Sequence, residues 1–135
     1  MSYPIRDIDG IDDETLKLFR KVGIRTTAAL LEAAKDSKGR RALAARTGLD
    51  EQFLLRCANM ADRLRIKGLG KDYATLVRAA GVETVRELKH RNAKRLFEAM
   101  RRANAERKLV KFLPSEKAVE RWIEEARSLD VKISY

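Results

Sequence analysis

The chain resembles itself. Shifted by 58 positions, "IDGIDDETLKLFRKVGIRTTAAL" (8–30) falls on "IKGLGKDYATLVRAAGVETVREL" (66–88). The identical pairs are Ile8/Ile66, Gly10/Gly68, Leu18/Leu76, Arg20/Arg78, Gly23/Gly81, Thr26/Thr84 and Leu30/Leu88; Ile11/Leu69 and Ile24/Val82 are conservative. Further along, the offset becomes 65. "LDEQFLLRCANMADRL" (49–64) then falls on "PSEKAVERWIEEARSL" (114–129), matching Arg56/Arg121, Ala61/Ala126 and Leu64/Leu129. Self-similarity of this kind is a strong constraint, because one local structure must suit both copies. It reads as a tandem duplication, repeat one about 8–65 and repeat two about 66–135, with about seven residues added to the second copy.

Each copy has the pattern of four helices, about 12–22, 26–35, 38–46 and 50–65 in the first and about 71–80, 84–90, 92–108 and 115–128 in the second. Gly23 and Gly81 stand where a helix should stop, at positions favouring a left-handed backbone. Thr26 and Thr84 are placed to cap the helix that follows, and Asp50 and Ser115 to cap the fourth. Leu54, Cys57, Ala61 and Leu64 recur at helical spacing, as do Val119, Trp122, Ile123 and Ala126. Gly and Pro number only 7 and 2, and no β-branched run alternates with period two. The expected fold is all-α. No linker rich in Pro, Gly or Ser separates the copies, so residues 1–135 are expected to form a single compact domain of two helix-hairpin-helix-like four-helix units.

Apolar-Gly-apolar-Gly, here Ile66, Gly68, Leu69 and Gly70 with Lys67 inside, opens the helix at Lys71. A helical segment precedes it, so the order is helix, short hairpin, helix. Glycine permits the backbone of a tight turn. It also leaves the first amides of the next helix uncovered, where unpaired N–H groups and the helix dipole favour an anion. Leu69 is expected to point inward and pin the turn. The pattern resembles the helix-hairpin-helix motif, which binds DNA backbone without reading sequence; Ala74 fills its small position, followed by Leu76 and Val77. The plain alternative is a corner between helices with no ligand. The first copy, "IDGIDDE", has Asp12 in place of the second Gly, then Asp13 and Glu14. Those carboxylates suit a helix start but repel phosphate, so that turn is expected to be structural. If the copies are equivalent, Gly70→Asp should be tolerated by the fold.

Charge supports an anionic partner. The net charge is +10 and the isoelectric point about 10.0. The excess lies in the middle: residues 38–80 and 81–113 each hold 10 basic and 4 acidic groups, whereas 1–37 and 114–135 are each net −1. Arg63, Arg65, Lys67, Lys71 and Arg78 cluster in sequence around the hairpin, diluted by Asp62 and Asp72. Lys94, Arg101 and Lys108, seven apart, form a basic stripe on one helix beside Arg91, Arg95 and Arg102, interrupted by Glu98. The stripe is either a phosphate-tracking surface or a solvated face.

Catalytic and metal chemistry find no foothold. The single cysteine, Cys57, excludes an intrachain disulfide and a Cys-based zinc site, and its apolar stripe assigns it to the core. His90 is the only histidine and has no clustered ligand partners. Trp122 is expected in the core. Tyr73 stands where a dinucleotide fingerprint would need a third Gly, and no phosphate loop, triad or paired carboxylates occur. The reading is a binding module with no cofactor, not an enzyme. No apolar run reaches the length of a membrane span, and residues 1–15 lack a signal peptide's apolar core, which gives a cytoplasmic expectation.

Over nearly the whole chain, "ADRLRIKGLGKDYATLVRAAGVETVREL", "RNAKRLFEAM" and "KLVKFLPSEKAVERWI" with the final Tyr135 resemble an uncharacterised bacterial domain-of-unknown-function family with tandem helix-hairpin-helix-like repeats. That resemblance implies the fold and no activity. The functional expectation is non-specific binding of duplex DNA. The site comprises Lys67, Gly68, Leu69, Gly70, Lys71, Arg63, Arg65, Arg78, Lys94, Arg101 and Lys108. The alternative is a protein-interaction or scaffold module, with RNA a third option; oligomeric state is open.

Overall fold

Each apolar stripe of the sequence becomes the buried side of a helix. A computed structural model describes residues 2–135. It contains a 3-10 turn at Ile5–Asp7 and then α1 (Asp13–Lys21), α2 (Thr27–Ala34), α3 (Ser37–Thr47), α4 (Glu51–Arg63), α5 (Gly70–Ala79), α6 (Val85–Leu88), α7 (Ala93–Arg107) and α8 (Glu116–Ser128). Extended backbone pairs only at a bridge between Pro4 and Thr26 among the described residues. The protein is all-α. The helices fall within about two residues of the boundaries expected from the sequence, the usual spread for helix ends.

The starts of all the α-helices but α5 are fixed by side chains. Thr26 accepts from the Ala29 N–H at 3.1 Å, Asp50 from Gln52 at 3.0 Å and Ser115 from Ala118 at 3.0 Å. Thr84 does the same, more loosely, for Glu87 at 3.5 Å. Asp12, Asp36 and Asn92 cap α1, α3 and α7 in the same way. The stops at Gly23 and Gly81 also match. Their φ values are +84° and +101°, and in both turns the glycine N–H returns to the carbonyl three residues back, Arg20 and Arg78. The following N–H groups of Ile24 and Val82 reach Phe19 and Val77.

The chain divides into two compact units. The first runs to Arg65 and includes Lys132–Tyr135; the second is Ile66–Val131. In the first, α2 packs on α3, α4 and the 3-10 turn, and α3 on α4, around Phe19, Leu30, Leu54 and Leu64. The C-terminal segment completes this unit: Ile133 is buried and the Ser134 N–H donates to the Lys35 carbonyl at 2.8 Å. Arg40, itself buried, donates to the carbonyls of Ala34 (3.0 Å) and Ser134 (2.8 Å). In the second, α7 packs on α5 and α8, and α6 on α8, around Leu76, Val85, Leu96, Met100 and Val119. Trp122 is buried there, its ring 5.6 Å from Tyr73.

Two residues of the first unit give sharp tests. Gly39 lies in the first turn of α3, and a Cβ there would fall 2.3 Å from the Ala33 carbonyl oxygen. Backbone cannot yield as a side-chain tip can, so Gly39→Ala should cost about 1–3 kcal/mol, read as a lower denaturant midpoint. Cys57 is buried as expected, and burial pushes its thiol up to about 12. A raised pKa keeps the thiol protonated below that value, so at pH 8 an aromatic disulfide reagent should label the folded protein hardly at all and the unfolded protein within its mixing time.

Candidate functional site

The turn before α5 is built by two buried apolar residues and two left-handed glycines. Ile66 and Leu69 are buried, which anchors the turn as expected, and the Leu69 N–H closes onto the Ile66 carbonyl at 3.2 Å. Gly68 has φ +81° and Gly70 φ +69°. Apart from the adjoining backbone and chain neighbours, no atom lies within 4 Å of where a Cβ would stand at either. The glycines are thus required by the sign of φ and not by lack of space. α5 then begins without a side-chain cap, the one α-helix among the described residues to do so. Lys67 and Lys71 are exposed on either side. The Lys67 N–H donates to the Glu125 carboxylate of α8 at 2.9 Å, so an anionic group already rests on this turn.

The turn before α1 is only half equivalent. Gly10 has φ +87°, like Gly68. Asp12, however, is extended at φ −86° and caps α1 through the Thr15 N–H at 2.8 Å, whereas its sequence partner Gly70 is left-handed. The backbone and side-chain hydrogen bonds of Thr15 hold the Asp12 carboxyl below the usual carboxylate range. The expected equivalence of the two positions therefore fails: an aspartate at 70 would not sit as Asp12 sits. The physical reason is that a capping carboxylate needs an extended backbone, which the Gly68–Gly70 turn does not offer.

A loop missed by sequence reasoning lies beside the α5 start. After α7, Lys108 turns left-handed (φ +51°) and its N–H caps the Asn104 carbonyl at 2.8 Å. The Asn104 side chain donates to the Val110 carbonyl (3.0 Å) and accepts from its N–H (2.9 Å). The Tyr73 hydroxyl donates to the Phe112 carbonyl at 3.0 Å. Between this loop and α5 lies an open groove of about 370 Å³ lined by Gly70, Lys71, Tyr73, Val110, Lys111 and Phe112, among others. The Phe112 ring is 72% exposed, and the Lys111 ammonium lies 5.7 Å from its centroid. The available signal was the offset change from 58 to 65, which falls between residues 88 and 114.

The remaining expected site residues are scattered. Arg78 stands at the opposite end of α5, about 12 Å of helix rise from Gly70, paired with Glu83 at 3.2 Å. It does not cluster at the turn. Arg63 is buried in α4 with its guanidinium 3.2 Å from the Met60 sulfur, so no phosphate in solvent meets it. Arg65 pairs with the buried Asp62 at 2.8 Å. Lys94, Arg101 and Lys108 are exposed along α7, but Arg101 is paired with Glu98 at 2.8 Å. That pairing, with Arg102 and Lys94 behind it, holds the Glu98 carboxyl below its ordinary range. His90 is exposed beyond the end of α6, and no group of three metal-ligating side chains forms among the described residues.

The family described as "Domain of unknown function (DUF4332)" matches residues 9–129. The chain belongs to the DUF4332 family. No curated protein and no solved structure matches it. The DUF4332 match spans both glycine turns, every helix from α1 to α7 and the whole of α8. It thus includes the capped α1 start as well as the uncapped α5 start. In this DUF4332 chain the α5 turn has a simple backbone test. Gly70→Ala should lower stability by about 1–2 kcal/mol from the left-handed backbone alone, and Gly68→Ala by a similar amount. Urea denaturation monitored by circular dichroism measures both.

Proposed function

We propose that this DUF4332 protein is a non-sequence-specific DNA-binding module. It holds backbone phosphates at the Gly68–Gly70 turn in the manner of a helix-hairpin-helix. The observation that carries this reading is the uncapped start of α5 at Gly70. Where the other helices satisfy their first amides with their own side chains, this one leaves them for an external acceptor. Lys67, Lys71 and Lys111 are exposed and take part in no ion pair among the described residues, so their charge is available to phosphate. Contacts of this kind carry no base information, hence the lack of sequence preference. The reading is of a binder and not an enzyme, and of a protein working in the cytoplasm.

A duplication of one four-helix unit accounts for the pairing of elements. α4 and α8 match residue for residue at the offset of 65, and the Gly23 and Gly81 stops share one hydrogen-bond pattern. On this reading the first copy closed its turn with Asp12 while the second kept its turn open for a ligand.

One observation favours a scaffold role instead. Glu125 satisfies the Lys67 amide from within, as a purely structural corner would require. Fluorescence anisotropy with duplex DNA at several salt concentrations separates the two. DNA binding through three lysines should give a log–log slope of about −3, insensitive to sequence, and Lys71→Ala should reduce that slope by about one. Glu125→Gln removes the competing charge and should tighten binding several-fold. A flat salt response, or no binding with either chain, makes the scaffold reading the better one.

A further inference from the structure

Phe112 is the most exposed large apolar side chain among the described residues, yet its loop is held firmly. The Asn104 side chain grips both polar groups of Val110, Tyr73 holds the Phe112 carbonyl, and Pro114 is buried. Fixed backbone beneath an outward ring is not what packing produces, since burial of the ring would lower the free energy of folding. The groove beside the ring is basic: Lys71 lines one side and Lys111 the other, with Asp72 as the acidic group in the lining. An exposed aromatic ring with the Lys111 ammonium near it and Lys71 in the same groove complements a nucleotide, whose base is aromatic and whose phosphate is anionic.

We infer that the groove between Phe112 and Lys71 takes an unpaired nucleotide, its base stacked on the Phe112 ring and its phosphate between Lys71 and Lys111. This rests on the nucleic-acid reading above and narrows the substrate to DNA with single-stranded character. Paired bases inside a duplex are stacked on one another and offer no free face, so an exposed ring on a loop can stack only where the duplex has ended or opened. A preferred substrate is then a duplex with a single-stranded extension, the duplex backbone at the glycine turn and the first unpaired base on Phe112.

The test uses the full chain and three labelled oligonucleotides: a blunt duplex, the same duplex with a thymine extension, and oligo-thymidine alone. The parent should bind the extended duplex more tightly than the blunt one. Phe112→Ala should remove that preference, about tenfold, while changing blunt-duplex affinity less than twofold. Phe112→Trp should retain it, and its indole emission should be quenched on binding oligo-thymidine. Circular dichroism of both variants checks that the fold is intact. If the parent binds blunt and extended duplexes alike, or Phe112→Ala weakens both equally, the stacking site is wrong while the phosphate-binding reading stands. If no oligonucleotide binds, both fall together. If Phe112→Ala instead abolishes self-association in sedimentation, the ring is an interface with a second copy, and the nucleotide site is refuted.

Discussion

Short helices are dominated by their ends. Every α-helix starts with four N–H groups that have no partner inside it. With helices of 4 to 15 residues, those ends are a large share of the backbone polar groups. Their satisfaction is the constraint on which the rest of this structure depends. Asp12, Thr26, Asp36, Asp50, Thr84, Asn92 and Ser115 each supply an oxygen at a helix start. Because the caps fix where a helix begins, they also fix which of its residues face inward, and so set Phe19, Leu54 and Trp122 in their cores.

Against that background the start of α5 is chemically distinct. Two left-handed glycines shape its approach, no side chain caps it, and a carboxylate from α8 sits on the adjoining amide. Oriented amides with nearby lysines favour an anion of any kind. Glu125 is the anionic group that the structure places on this turn, at the Lys67 N–H.

The loop after α7 adds what a bare helix start lacks. Asn104 and Tyr73 hold it from two elements, so Lys111 and Phe112 are presented on a fixed backbone and not on a wandering tether. Such a loop lets one unit combine a charge site with an aromatic face. The first unit lacks a counterpart, because its third helix passes to the fourth through only the left-handed Gly48, Leu49 and the extended, capping Asp50.

Sequence alone determined the all-α class, the eight helices, most of their caps and the two glycine turns. Those properties are local: periodicity, capping oxygens and glycine conformations act within a few residues of each other. Family membership was legible for the same reason, since the motifs that carry it are contiguous. Tertiary structure decided which charges stand in solvent at the turn. Arg63 and Arg78 stand near the hairpin in sequence, yet one is buried and the other is at the far end of α5, because a helix carries residues around and along its axis. It also decided that Gly70 and Asp12 differ in backbone, that Glu125 takes the Lys67 N–H, and that Lys111 and Phe112, about 40 residues along the chain, line a groove with Gly70 and Lys71. Such long-range placements depend on packing between elements, which no local pattern encodes.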